Sequence, residues 1–108
     1  MTPSSTGLDR AFAALAHPVR RRIVESTRVR GRGVTELTRD FDISLAAVSK
    51  HVRVLERAGL VSREIVGRDH IIRARLDELR AARKWIEHQT AFWERAMARL
   101  KSDLERPR

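Results

Sequence analysis

Residues 34–61 read VTELTRDFDISLAAVSKHVRVLERAGLV, and the deciding part is the run that follows Ser44. Leu45, Val48, Val52 and Leu55 succeed one another at the 3-4-3 spacing of one apolar helix face. Ser44 stands where a side-chain oxygen caps a first turn, and Ala58-Gly59 supplies a small-residue exit. With the apolar four turned inward, Ala46, Ala47, Lys50 and Arg53 fall on the outer face, with Ser49 and His51 on its flanks. Just upstream, TELTRDF reads as a helix of about two turns, capped by Thr35, with Leu37 and Phe41 on one face. Asp40 and Asp42 read as helix-end and turn residues. Two short helices joined by a tight turn therefore stand in order.

Downstream, LVSREI and HIIRAR are strand-like runs rich in Val and Ile, and Val66-Gly67-Arg68-Asp69 between them reads as a hairpin turn. Upstream, Leu8, Phe12, Leu15 and Ala16 are helically spaced in LDRAFAALA. His17-Pro18 then punctuates the chain before PVRRRIVESTRV, a second helix with Val19, Ile23 and Val24 inward and Arg20 and Arg21 outward, ended by Gly31-Arg32-Gly33. Residues 1–7, MTPSSTG, read as a flexible arm. From Asp77 the chain is helical to residue 104, with Leu79, Ile86, Trp93 and Leu100 at seven-residue spacing and Met97 and Leu104 beside them. Trp85 and Phe92 widen this apolar surface beyond what one small domain needs, so a partner helix is expected. Residues 105–108 form a tail. The expected architecture is mainly α with a small β-hairpin, one domain spanning residues 8–104.

Composition narrows the function. In 108 residues, 23 Lys+Arg against 14 Asp+Glu leave a formal charge of +9, which favours a polyanionic partner. Residues 18–75 hold 14 basic against 7 acidic side chains, whereas residues 76–108 hold 8 against 6, so the excess lies in the helix-turn-helix and hairpin part. There is no Cys, which excludes disulfides, thiolate metal sites and thiol catalysis. The opening lacks the basic-then-apolar order of a signal peptide and no apolar run reaches the ~18 residues that span a bilayer, so no membrane role and a cytoplasmic location are expected. No Gly-rich phosphate loop, nucleophile elbow or convergent carboxylate pair marks an enzyme.

A helix-turn-helix followed by a hairpin wing, with helices before and after, resembles the winged helix-turn-helix fold of the ArsR family of bacterial transcriptional repressors, over roughly residues 8–100. The resemblance is carried by ALAHPVRRRIV (residues 14–24), by residues 34–61 with their V-S-K-H and L-E-x-A-G-L-V strings, and by Gly67-Arg68 at the wing. The terminal WIEHQTAFWERAMARL further resembles a metal-independent branch, whose members are often encoded beside small START-like proteins of the Hsp90-ATPase-activator-like type. This implies a homodimer whose recognition helices meet successive major grooves of double-stranded DNA at an inverted repeat near its own promoter.

On that reading Ala46 and Ala47 permit close approach to the base edges, with Ser49 and His51 on the flanks, while Lys50 and Arg53 reach bases or phosphates. His51 is expected near a phosphate. Thr35 and Ser44 offer helix N-termini to phosphates, Arg20 and Arg21 track the backbone, and Arg68 leads a minor-groove contact flanked by Arg63 and His70. His17 packs at a helix junction. The expected dimer interface comprises Leu8, Phe12, Leu79, Trp85, Ile86, Phe92, Trp93, Met97 and Leu100. Trp85, Phe92, Trp93 and Met97 alternatively line an effector pocket, the effector being unnamed by the sequence. No cofactor or metal is expected, since many relatives sense metals through cysteines of the third helix or His and carboxylates of the last, and this chain offers there only His88 near Glu87 and Glu94. The alternatives are a metal-responsive repressor using two symmetry-related His88 residues, a protein-interaction module and an RNA-binding winged helix.

Overall fold

The computed structural model describes residues 5–106. Five helices and three strands follow in the order α1 (Ser5–Leu15), α2 (Pro18–Ser26), β1 (Arg32–Gly33), α3 (Val34–Thr38), α4 (Leu45–Arg57), β2 (Val61–Val66), β3 (Asp69–Ala74) and α5 (Asp77–Glu105). Helix α1 starts at Ser5, ahead of the boundary expected at Leu8, and residues 1–4 of the expected arm lie outside the described residues. At the other end α5 runs to Glu105, one residue into the expected tail.

Helix α4 has the ends its sequence announces. Ser44 Oγ accepts the Ala47 N–H at 3.1 Å, satisfying one of the orphan donors of the first turn. At the exit Gly59 adopts φ +74, Leu60 N–H donates to Leu55 O and Gly59 N–H donates to Glu56 O, both at 3.0 Å. These two bonds form a Schellman motif, and Leu55 and Leu60, both fully buried, make its apolar contact. A Cβ on residue 59 would lie 2.9 Å from Glu78 Cγ besides requiring an unfavourable φ, so glycine is dictated twice.

The core joins Ala14 of α1, Ile23 and Val24 of α2, Leu37 of α3, Val48, Val52 and Leu55 of α4, Leu60, Val61 of β2 and Ile72 of β3. Leu55 is central, and Leu55→Ala is expected to cost about 3 kcal/mol through lost transfer energy and the cavity left behind. Urea denaturation should show a lower midpoint with an unchanged slope.

The hairpin register pairs Val61 with Ala74 and Val66 with Asp69, leaving Gly67 and Arg68 as a two-residue turn. Gly67 has φ +63 and Arg68 does not leave negative φ, the pattern of a type II′ turn. The sheet holds a third strand that the sequence reading missed: Arg32 and Gly33 pair antiparallel with Ile72 and Ile71, giving the order β1-β3-β2. A two-residue strand has no alternation from which to be read.

Four local expectations are corrected. Helix α2 stops at Ser26 rather than continuing through Val29, because Thr27 turns its own N–H and Oγ1 back onto Ile23 O and Val24 O; Val29 is left 91% exposed. Thr35 does not cap α3: Gly33 occupies that position straight out of β1, and Thr35 lies inside the first turn. Helix α3 also ends at Thr38, where i to i+3 bonds from Arg39, Asp40 and Phe41 tighten the chain into a turn. Leu45, expected inward, is 50% exposed at the first position of α4, where one turn lies beyond the packed core.

Candidate nucleic-acid interface

The exposed side of α4 carries Ala46, Lys50, Arg53 and Arg57 at the 4-3-4 spacing of one helical face, with Ala47, Ser49 and His51 partly covered beside it. Lys50, Arg53 and Arg68 at the hairpin tip are exposed, and their side chains make no hydrogen bond or ion pair among the described residues. Arg57 was not singled out from the sequence, although its spacing from Arg53 carried the signal. Lying in the last turn, it also favours the negative end of the helix dipole.

Between the start of α4, α3 and the hairpin runs a groove of about 570 Å³. It brings together Thr35, Ser49, Arg63, Arg68 and His70, five residues drawn from three separate stretches, and adds Arg39, Leu45, Glu36 and Asp69. Glu36 is the one acid of α3 facing this groove. Its hydrogen bond from Arg30 (2.7 Å), with a second from Arg32 (2.9 Å), holds its carboxyl below the usual carboxylate range. The two guanidinium groups thereby offset an acid that would otherwise repel an anion.

The arginines of α2 have another task. Helix α1 ends at Leu15, and its last carbonyls are met by arginines: Arg20 donates from Nε to Ala14 O (2.7 Å) and from Nη2 to Ala13 O (3.2 Å), which also accepts the Ala16 N–H (3.3 Å), while Arg21 donates to Leu15 O (2.7 Å). Arg22 donates to Asp40 O at 3.4 Å and lies 4.7 Å from the centre of the Phe41 ring. Arg20 is therefore half-buried rather than outward; Arg20 and Arg21 close the end of α1, and Arg22 braces the turn after α3.

His17 caps α2, its Nδ1 accepting the Val19 N–H at 3.1 Å. Its ring lies 4.4 Å from that of His51, whose Nδ1 faces Arg20 Nη1 at 3.4 Å. His51 thus looks into the α1–α2 junction as well as along the exposed face. Burial first, then the charges of His17, Arg20 and Lys50, push its imidazole below the ordinary histidine range. The native state therefore refuses a proton that the unfolded chain accepts near pH 6.5. Stability is complete above that pH and is expected to fall as pH drops through the depressed native value. Thermal melts at pH 7.5 and 5.5 should show a larger loss for the wild type than for His51→Gln.

Arg63, expected beside the wing contact, lines the groove but is half-buried and held by its neighbours. It donates from Nε and Nη2 to the two oxygens of Glu56 (3.1 and 2.7 Å) and from Nη1 to His70 Nδ1 (2.7 Å). A guanidinium only donates, so in this contact His70 Nδ1 is the acceptor.

Along α5, Trp85, Ile86, Phe92, Trp93, Met97 and Leu100 remain exposed, with Trp93 at 63%, and Trp85 meets Phe12 of α1 edge-on at 5.9 Å. Leu8 and Leu79 depart from the expected interface. Leu8 is buried within the chain and Leu79 packs against its core, because the first turns of α5 lie over the domain. His88 is exposed, and among the described residues no three His, Asp or Glu side chains are grouped to hold a metal. No helix among them is long and apolar enough to cross a membrane.

Comparison with known proteins agrees with this arrangement. A family model described as a helix-turn-helix domain matches residues 15–64. The HTH-type transcriptional regulator Rv2034 of Mycobacterium tuberculosis is 38% identical over 89 residues, covering 82% of this chain and 80% of that one. An ArsR-like transcriptional regulator from Rhodococcus sp. RHA1 superposes with TM-score 0.85 at 30% identity, over 93% of this chain and 92% of the other. The chain belongs to the ArsR family. It is a winged helix-turn-helix transcriptional regulator, with α4 as recognition helix and β2–β3 as wing, and its family is one of DNA-binding regulators and not of enzymes. The fold alone is shared with the homodimeric winged helix-turn-helix domain Mb0332 of Mycobacterium bovis, at TM-score 0.62 and 22% identity over 82% of this chain and 81% of that one.

Proposed function

We propose that this regulator is a homodimeric, metal-independent repressor that binds an imperfect inverted repeat in double-stranded DNA near its own promoter and represses by occluding it. The observation that carries the reading is the set of cations on the outer face of α4 and at the wing tip, whose side chains make no hydrogen bond or ion pair among the described residues. Ala46 and Ala47 let α4 approach base edges, Ser49, Lys50 and Arg53 contact bases or phosphates, and Ser44 and Thr35 lie at helix starts where N–H groups face the backbone. Arg68 enters the minor groove. Residues 8–104 serve as one DNA-binding and dimerising unit in the cytoplasm, where its DNA is. Phe12, Trp85, Ile86, Phe92, Trp93, Met97 and Leu100 pair with their symmetry mates, the assembly named for the Mycobacterium bovis domain. An effector then acts by favouring a dimer whose recognition helices no longer match two successive grooves.

The test is a salt-titrated anisotropy measurement on metal-free protein, comparing DNA upstream of its own gene with a scrambled duplex of equal length. A preference for the upstream DNA that persists near physiological salt is expected. Equal, weak binding of both duplexes would refute autoregulation without metal.

A further inference from the structure

The contacts of Arg63 link three elements that DNA recognition uses. Glu56 lies in the last turn of the recognition helix, Arg63 in the first wing strand and His70 in the second. The Schellman turn at Gly59 sends β2 back past the end of α4, which brings Arg63 beside a carboxylate seven residues earlier. In the wing Arg63 is opposite Ile72, so His70 is its diagonal neighbour on the same face of the sheet. All three nitrogens of the guanidinium are thereby occupied, two of them in a planar fork onto Glu56. The Arg63 and Glu56 side chains are only 23% and 29% exposed, unlike the surface ion pair Arg83–Glu87 at 72% and 66%.

We infer that Glu56, Arg63 and His70 form a clamp that fixes the wing against the recognition helix, so that Glu56 and Arg63 act in DNA binding as positioning residues and not as contacts. The inference rests on the proposed roles of α4 and Arg68. A two-stranded wing of six-residue strands is marginal by itself, and its tip lies far from the core. A fork is directional, so it sets the angle of the hairpin to α4 as well as holding it there. Arg68, two residues from His70 at the tip, is thereby held at one reach relative to Lys50 and Arg53. Without the clamp, binding must first order the wing, and that entropy is subtracted from affinity.

The proposal predicts the opposite sign from simple electrostatics. Glu56→Gln removes a negative charge near DNA and keeps the side chain's shape, so general charge effects would tighten binding. With the clamp as described, Glu56→Gln and Arg63→Lys each weaken binding by about tenfold to a duplex that the wild type has selected from a random pool. Their log-log salt slopes stay at the wild-type value, because no phosphate contact is lost. The Glu56→Gln/Arg63→Lys double variant is no weaker than either single one. In an Arg68→Ala background the Glu56→Gln penalty disappears, since no tip remains to be placed.

Equal or tighter binding by Glu56→Gln overturns the inference, as does a penalty that persists without Arg68. In a further variant, Arg63→Gln, a salt slope lowered by about one per Arg63 removed would make Arg63 a phosphate contact instead. Circular dichroism melts of each variant accompany the titrations, and the isosteric Glu56→Gln decides the matter if Arg63→Lys fails to fold. If the wild type selects no preferred duplex, the DNA reading itself falls, which distinguishes that failure from failure of the clamp alone.

Discussion

Reversing Lys50 and Arg53 together to glutamate is expected to abolish specific DNA binding while leaving the protein folded and its oligomeric state unchanged. Both side chains are exposed on the outer face of α4 and make no hydrogen bond or ion pair among the described residues, so the native state loses little when they change. In a dimer the substitution replaces four cations by four anions at the surface facing the phosphates. The salt slope of any residual binding should shrink by about three to four, and affinity at low salt should fall by about a thousandfold or more. Salt-titrated anisotropy reads both quantities, and a thermal melt checks the fold. Unchanged affinity would move the DNA site off α4. The neutral pair Lys50→Ala and Arg53→Ala should fall between, with discrimination lost in proportion to the base contacts each side chain makes.

The second large effect is expected at Trp93→Glu. In the single chain this indole is 63% exposed, touches Phe92 edge-on at 5.8 Å and belongs to no buried cluster, so the protomer has little reason to unfold. If the α5 strip is the dimer interface, a two-fold axis buries the new carboxylate twice, and each buried, unpaired charge costs several kcal/mol. Sedimentation equilibrium should then move from twice 12.4 kDa to 12.4 kDa at micromolar concentration. DNA affinity should drop in parallel, because a monomer grips one half-site. A wild-type chain that already sediments as a monomer would refute the dimer. The groove of about 530 Å³ along Trp85, Ile86, Gln89, Trp93 and Met97 would then be an open binding surface on a single helix.

Much of the candidate site could be read before any coordinate. The recognition helix was legible at both ends because its signals are local: a Ser whose oxygen reaches a backbone N–H three residues on, and a glycine in the left-handed region with an apolar residue after it. The hairpin was legible because a glycine at the first turn position sets its register. What the sequence left open concerns arginine. Arg20, Arg21 and Arg63 looked like Lys50, Arg53 and Arg68 in the sequence, since charge and approximate helical phase were all that distinguished them. Their neighbours separate the two groups, the carbonyls ending α1 for Arg20 and Arg21 and the Glu56 carboxylate for Arg63.

The same division explains Leu8 and Leu79 against Trp93. An apolar stripe with a seven-residue repeat runs through α5 without a break, so periodicity cannot say where the helix leaves its own domain. The point of departure depends on how far α1 and the core reach along α5, which is a property of packing. Periodicity, caps and turn residues thus determined which segments become helix or strand and which face of each is apolar, because those preferences act over a few residues of one chain. Whether a given cation is free for DNA or closes a helix end, and whether a given apolar side chain meets its own core or is left uncovered, was decided only in the folded molecule. Hydrogen-bond partners and burial come from how neighbouring elements turn and pack against one another, and a single strand of sequence does not specify those distances.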